Sequence, residues 1–166
     1  MKKIIVIGCP GSGKTTFATR LAEITVLPLF HLDAIWHKPD KTNITCEEFD
    51  LRLAEILSLD SYIIDGNYNR TAERRIADCD TVFMFDLPTE ECLSGVTARI
   101  GKKRIDLPWI ETELDPEFKS FIEEFPKQKL PVLYELLEKY KENKNIVVFR
   151  SREEANAFLC SLTERR

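Results

Sequence analysis

Ile4-Ile5-Val6-Ile7-Gly8-Cys9-Pro10-Gly11-Ser12-Gly13-Lys14-Thr15 is an unbroken apolar run that ends in a complete G-x-x-x-x-G-K-[ST] pattern. The pattern is a phosphate cradle, and each residue type has a physical role. Gly8, Gly11 and Gly13 lack a Cβ, so the backbone turns tightly and aims successive N–H groups at phosphate oxygens. Lys14 reaches the β- and γ-phosphates. Thr15 opens a helix whose N-terminus favours an anion, and its hydroxyl is suited to Mg²⁺. The strand before the loop and the helix after it are the required context, so the chain is expected to bind a nucleoside triphosphate.

Working outward, apolar runs bounded by polar residues alternate with helical patterns, as in an α/β domain with a parallel sheet. Strands are predicted at about 2–8, 28–33, 61–65, 80–87 and 145–150. The first helix starts at Lys14. A Thr45…Glu48 capping box opens a second over 45–57, and others follow Thr71 and Thr89. Asp115-Pro116-Glu117 reads as an N-cap, a first-turn proline and an early acid, with Phe118, Phe121, Ile122 and Phe125 at helical spacing. Ser151…Glu154 caps a closing helix.

The 166 residues, 43% of them hydrophobic, suit one domain. Only four apolar residues precede Gly8, too few for a secretory signal, and charges interrupt every longer run. Five scattered cysteines without a C-x-x-C pair favour neither a disulfide framework nor a zinc site, so a soluble, cytoplasmic protein is expected. With 24 Lys and Arg against 28 Asp and Glu, the net charge of −4 opposes binding to nucleic acid or anionic lipid.

Two apolar strands end in aspartate, at Asp65 and Asp86. Either acid is placed to hold Mg²⁺ beside the phosphate loop. Asp65 is preferred, because Gly66-Asn67 turns the chain at the sheet edge where ligands bind. Asp33, after His31-Leu32, is suited either to orienting an acceptor hydroxyl and accepting its proton or to capping the next helix. Trp36 and Tyr68 are candidates for stacking on a planar substrate or for the core. His31 and His37 beside Asp33 make only a weak metal pattern. Asn143-Lys144-Asn145-Ile146 lacks the aspartate that reads guanine, which disfavours a GTPase.

Taken together, the loop, His31-Leu32-Asp33 with Trp36-His37-Lys38-Pro39, and Asp65-Gly66-Asn67-Tyr68 followed by Thr71 and Arg75 resemble the bacterial topology modulation proteins, small relatives of adenylate and shikimate kinases. The resemblance runs from Lys2 to Phe158. It implies a nucleoside-monophosphate-kinase-like fold with a five-stranded parallel sheet in order 2-3-1-4-5, an acceptor-binding insertion at about 34–60 and a lid at about 99–127. Gly8 to Thr16, including Cys9, Pro10, Ser12 and Thr16, would hold ATP phosphates, and Thr15 and Asp65 would serve Mg²⁺. Asp33, Trp36, Asn67, Tyr68 and Arg75 would meet the acceptor, Arg75 gripping its phosphate or carboxylate. Arg99, Lys102, Lys103 and Arg104 would be lid cations, Arg99 acting with Lys14 and Asp33 in catalysis. A solvated basic face is the alternative for the lid cluster. Three positions depart from the pattern: Lys41-Thr42-Asn43 lacks an aromatic, Cys79 replaces an alanine, and Gly95 stands where an arginine is common. The expected activity is transfer of the ATP γ-phosphoryl group to a small acceptor, a nucleoside monophosphate first and a hydroxylated metabolite second. A regulator acting through a macromolecular partner is the rival from another class.

Overall fold

The run Ile4 to Ile7 forms the middle of β1 (Lys3–Gly8), and all four side chains are fully buried. A continuous apolar run, rather than an alternating one, means that both faces of the strand are covered, as in a parallel sheet flanked by helices. In the computed structural model, which describes residues 1–164, β1 lies between β3 (Tyr62–Asp65) and β4 (Thr81–Phe85). The outer strands are β2 (Leu29–His31) and β5 (Asn145–Phe149), and all pairings are parallel. The order is β2-β3-β1-β4-β5, as expected.

The eight helices of the described residues are α1 (Lys14–Thr25), α2 (Leu32–Trp36), α3 (Cys46–Leu57), α4 (Asn69–Asp78), α5 (Thr89–Ala98), α6 (Pro116–Gln128), α7 (Leu130–Tyr140) and α8 (Arg152–Glu164). Phe17 of α1 and Phe158 of α8 meet over Phe83 and Phe149, whose rings stack at 5.8 Å. Such aromatic pairs add about 0.5–1.5 kcal/mol each beyond area burial. The predicted caps form: Thr45 accepts from the Glu48 N–H at 3.1 Å and Asp115 from the Phe118 N–H at 2.9 Å.

Three readings need correction. β2 stops at His31, and Leu32-Asp33 begin the short α2, so Asp33 is not a strand end. Helix α7 was not anticipated, because Pro131 looks like a breaker; at the start of a helix its missing N–H costs nothing. Finally, much of the 99–127 segment expected as a lid is the helix α6, which buries Ile122 and Phe125 in the core.

Candidate active site

The carboxyl ends of β1, β2 and β3 converge on the phosphate loop, and the register sets Val6 and His31 on either side of Asp65. Gly8 has φ 137°, and a Cβ there would stand 2.3 Å from the Phe85 carbonyl oxygen, so only glycine lets the chain leave β1. Within the loop, the Cys9 carbonyl accepts from the Ser12 hydroxyl at 2.7 Å and from Lys14 Nζ at 2.8 Å. Lys14 is only 9% exposed. Burial lowers its pKa, and the charge of Asp65 opposes that shift. The Cys9 thiol is buried in the core, and its neighbour Cys92 and burial both raise its pKa, so it is a packing group.

Thr15 Oγ1 donates to Asp65 Oδ2 at 2.8 Å, and His31 Nδ1 lies 3.0 Å from the same oxygen. The other oxygen, Oδ1, is buried without a hydrogen-bond partner. A bare carboxylate oxygen beside a threonine hydroxyl is a donor set that fits Mg²⁺. Among the described residues no group of three or more His, Cys, Asp or Glu forms a metal cage, so phosphate and water would complete the shell. Asp86, the alternative acid, accepts from Tyr134 at 2.6 Å and pairs with Arg150, which ties β4 to α7 and to the end of β5.

A cleft of about 1040 Å³ opens over this edge. Pro10, Gly11, Gly13, Lys14, Thr15 and Thr16 line it, together with Asp33, Asn67 and Tyr68. The side chains of Cys9 and Ser12 face the loop and core. Asp33 accepts from the Tyr68 hydroxyl at 2.8 Å. Burial raises the Asp33 pKa, the nearby Asp106 and Asp65 add to that, and the Tyr68 bond opposes it. As no side-chain cap is made at the start of α2, the capping reading of Asp33 gives way to the Tyr68 pair.

Two expected acceptor residues serve the scaffold instead. Arg75 is fully buried and off the cleft; it donates to the carbonyls of Gly66 (2.8 Å), Asn67 and Tyr68 (3.2 Å). Burial pushes its pKa down to about 10. This clamp holds Tyr68 at φ 37°, a left-handed conformation costly for a bulky residue, and so aims the phenol at Asp33. Trp36 packs edge-on against Phe49 at 5.6 Å and Tyr68 at 6.1 Å, away from the cleft. Asn67 lines the cleft, but its amide bonds both the N–H and the carbonyl of Gly8.

Over the cleft, residues 99–115 carry Arg99, Lys103 and Arg104 onto its wall, whereas Lys102 is exposed and outside it. Arg104 donates from Nε to Asp106 at 2.9 Å and from a terminal nitrogen to Glu111 at 2.9 Å; Arg99 lies 3.1 Å from the same Glu111 oxygen. Asp106 was not anticipated. It is 3% exposed and reaches within 3.4 Å of Thr15 Oγ1. Burial alone would raise its pKa, but the hydrogen bonds and charge of Arg104 outweigh this and lower it. Only the alternation of charge and apolar residues in Arg104-Ile105-Asp106-Leu107 hinted at burial. Trp109 closes the cleft against His37 at 5.2 Å.

The departure at Gly95 also has a structural reason. Arg152 from α8 donates to the carbonyls of Gly11 and Glu91, each at 2.9 Å, across the surface of α5 at Gly95. A guanidinium therefore does reach the loop, but it comes from another helix.

No family model matches the chain. A stretch of 88 residues is 31% identical to the adenylate kinases of Thermotoga petrophila and Thermotoga maritima, covering 52% of this chain and 39% of each relative. The match thus spans well under half the length of those relatives. Among solved structures, a shikimate kinase from Bacteroides thetaiotaomicron superposes with a TM-score of 0.58 at 15% identity, covering 98% of this chain and 96% of that one. The Acinetobacter baumannii shikimate kinase in complex with shikimate gives 0.56 at 17%, covering 100% and 95%. A gluconokinase from Sinorhizobium meliloti gives 0.52 at 16%, covering 99% and 94%. At these identities the likeness is one of fold alone, shared with the two shikimate kinases and the gluconokinase.

Proposed function

We propose that the chain is an ATP-dependent small-molecule kinase that transfers the γ-phosphoryl group to a hydroxyl of an acceptor bound at Asp33. The observation that carries this reading is that the Asp33–Tyr68 pair and the Lys14–Thr15–Asp65 group line one cleft. In the transfer, the acceptor O–H gives its proton to the Asp33 carboxylate as its oxygen bonds the γ-phosphorus. The bond from that phosphorus to the β,γ-bridging oxygen breaks, and ADP leaves. Thr15 and Asp65 are the residues that would hold Mg²⁺, which would supply positive charge to the phosphates. Lys14 supplies charge on the β- and γ-phosphates, and Arg99 and Arg104 are the cations available for the equatorial oxygens of the transition state.

A nucleoside monophosphate acceptor is the second reading, favoured by the 31% identity to adenylate kinase over half the chain. Against it stands Arg75, whose guanidinium is committed to main-chain carbonyls. Membership of the topology modulation proteins, and a reducing cytoplasmic setting for the five free cysteines, belong to the same proposal. No described helix is long and apolar enough to cross a membrane.

The test is ADP formation with Mg·ATP and a panel of small alcohols, hydroxy acids and nucleoside monophosphates. Acceptor-dependent turnover should appear in the wild type and fall about 10²–10⁴-fold in Asp33→Asn, the range for a positioned base. Turnover equal in both proteins would remove Asp33 from the reaction.

A further inference from the structure

The cations on the cleft wall are Lys14, Arg20, Lys41, Arg99, Lys103 and Arg104. Lys14 belongs to the phosphate loop. Arg20 lies on α1, beyond the loop, and donates to Asn156 of α8 at 2.7 Å. Arg99 and Arg104 face carboxylates of their own segment, Glu111 and Asp106. Arg75, behind the Gly66–Tyr68 segment, has three backbone carbonyls as partners and no exposed surface. The other two cations of the wall, Lys41 and Lys103, are exposed lysines. The same region holds Asp33, Asp65 and Asp106, the latter two 4% and 3% exposed.

An anionic acceptor seated at Asp33 would bring its charge among these carboxylates with no cation to spare but those exposed lysines, because Lys14, Arg99 and Arg104 are assigned to the transferring phosphate and Arg75 is tied to main-chain carbonyls. A desolvated charge without a partner is among the costliest things a binding site can hold. An uncharged acceptor meets no such penalty. Its hydroxyls find Asp33 and the Tyr68 hydroxyl, 2.8 Å apart, and a ring face can rest on the Trp109–His37 pair that closes this end.

We infer that the acceptor is an uncharged, polyhydroxylated small molecule, sugar-like or nucleoside-like, rather than a phosphate or carboxylate. This inference rests on the kinase reading and sharpens it by fixing the charge class of the substrate. Discrimination comes from the lack, among the described residues of the cleft, of a guanidinium beyond those assigned to the transferring phosphate, as much as from the hydroxyl-binding groups.

The experiment compares matched pairs as acceptors with Mg·ATP: ribose against ribose 5-phosphate, glucose against gluconate, adenosine against AMP. ATP binding by wild type and Lys14→Ala is measured by calorimetry in the same buffer. The expected result is that at least one neutral member supports ADP formation with a kcat/KM at least about tenfold above its anionic partner, a difference equivalent to the loss of one charge contact. The inference is overturned if an anionic member outperforms its neutral partner while ATP binding stays Lys14-dependent; in that case the kinase reading stands. It is equally overturned if ATP binds in the Lys14-dependent way and no neutral member is turned over. Absence of Lys14-dependent ATP binding would bring down the kinase reading and this inference together.

Discussion

Gly95 of α5 lies so close to Gly11 that a Cβ at position 95 would stand 2.0 Å from the Gly11 carbonyl oxygen and 2.7 Å from the guanidinium of Arg152. Helix and phosphate loop are in backbone contact there, and Arg152 completes the join by bonding the same carbonyl. The position where the resemblance implies an arginine is therefore closed to every larger residue.

Gly95→Ala should consequently displace the loop. Overpacking of this kind costs about 1–3 kcal/mol. We expect a lower melting temperature and a larger proportional loss of ATP affinity than of stability, read by thermal denaturation and calorimetry. Unchanged ATP affinity would mean that the loop does not depend on this contact.

Asn67→Ala leaves the N–H and carbonyl of Gly8 without their side-chain partners. A buried polar group deprived of its hydrogen bond costs about 1–3 kcal/mol. The variant should be destabilised without any ligand present, as should Arg75→Lys, which loses the planar fork that spans three carbonyls. Had these residues served the acceptor, stability would be untouched and acceptor KM would rise. Denaturant titration of the free proteins separates the two.

Those two residues show where the sequence stops being readable. The loop pattern, the strand-end position of Asp65 and the caps at Thr45 and Asp115 follow from short-range rules, in which a spacing of a few residues fixes who meets whom, whereas the strand order was implied only by the family resemblance. The clamp of Arg75 on carbonyls seven to nine residues away depends on Tyr68 adopting a positive φ, which no local propensity announces. Asp106 meets Thr15 across 91 positions, through an irregular segment with neither helical nor strand period. Trp36 and Tyr68 shared an aromatic signature, yet only tertiary packing decided that one faces the core and the other the cleft.

The Asp33 shift has a definite sign. Its folded pKa lies above the ordinary aspartate value, so the native state holds the proton more tightly than the unfolded chain. Stability therefore falls as pH rises from the unfolded value of 3.8 through the raised folded one, and the ionised carboxylate is a cost at neutral pH. Asp33→Asn should melt higher than wild type at pH 7, with the difference disappearing below the ordinary carboxylate range. Transfer by the wild type should rise with pH over the same window, because the base must be ionised. A variant less stable at pH 7 would contradict the assignment of burial as the dominant cause.

Arg99→Ala should lower kcat more than ATP affinity, because the charge it can meet develops in the transition state. Loss of one such cation costs about 10²–10³-fold by analogy with removal of an oxyanion donor. Single-turnover kinetics with saturating Mg·ATP gives the value. Equal effects on affinity and rate would restrict Arg99 to its pairing with Glu111, at 3.1 Å.

The most direct measurement is the melting temperature of wild type and Lys14→Ala with and without Mg·ATP. A ligand that binds only the native state raises stability by RT ln(1 + [L]/Kd), about 2.7 kcal/mol at a hundredfold excess over Kd. The account predicts a Mg²⁺-dependent rise for the wild type that Lys14→Ala loses while remaining folded. Identical shifts in the two proteins, or none in either, would contradict it.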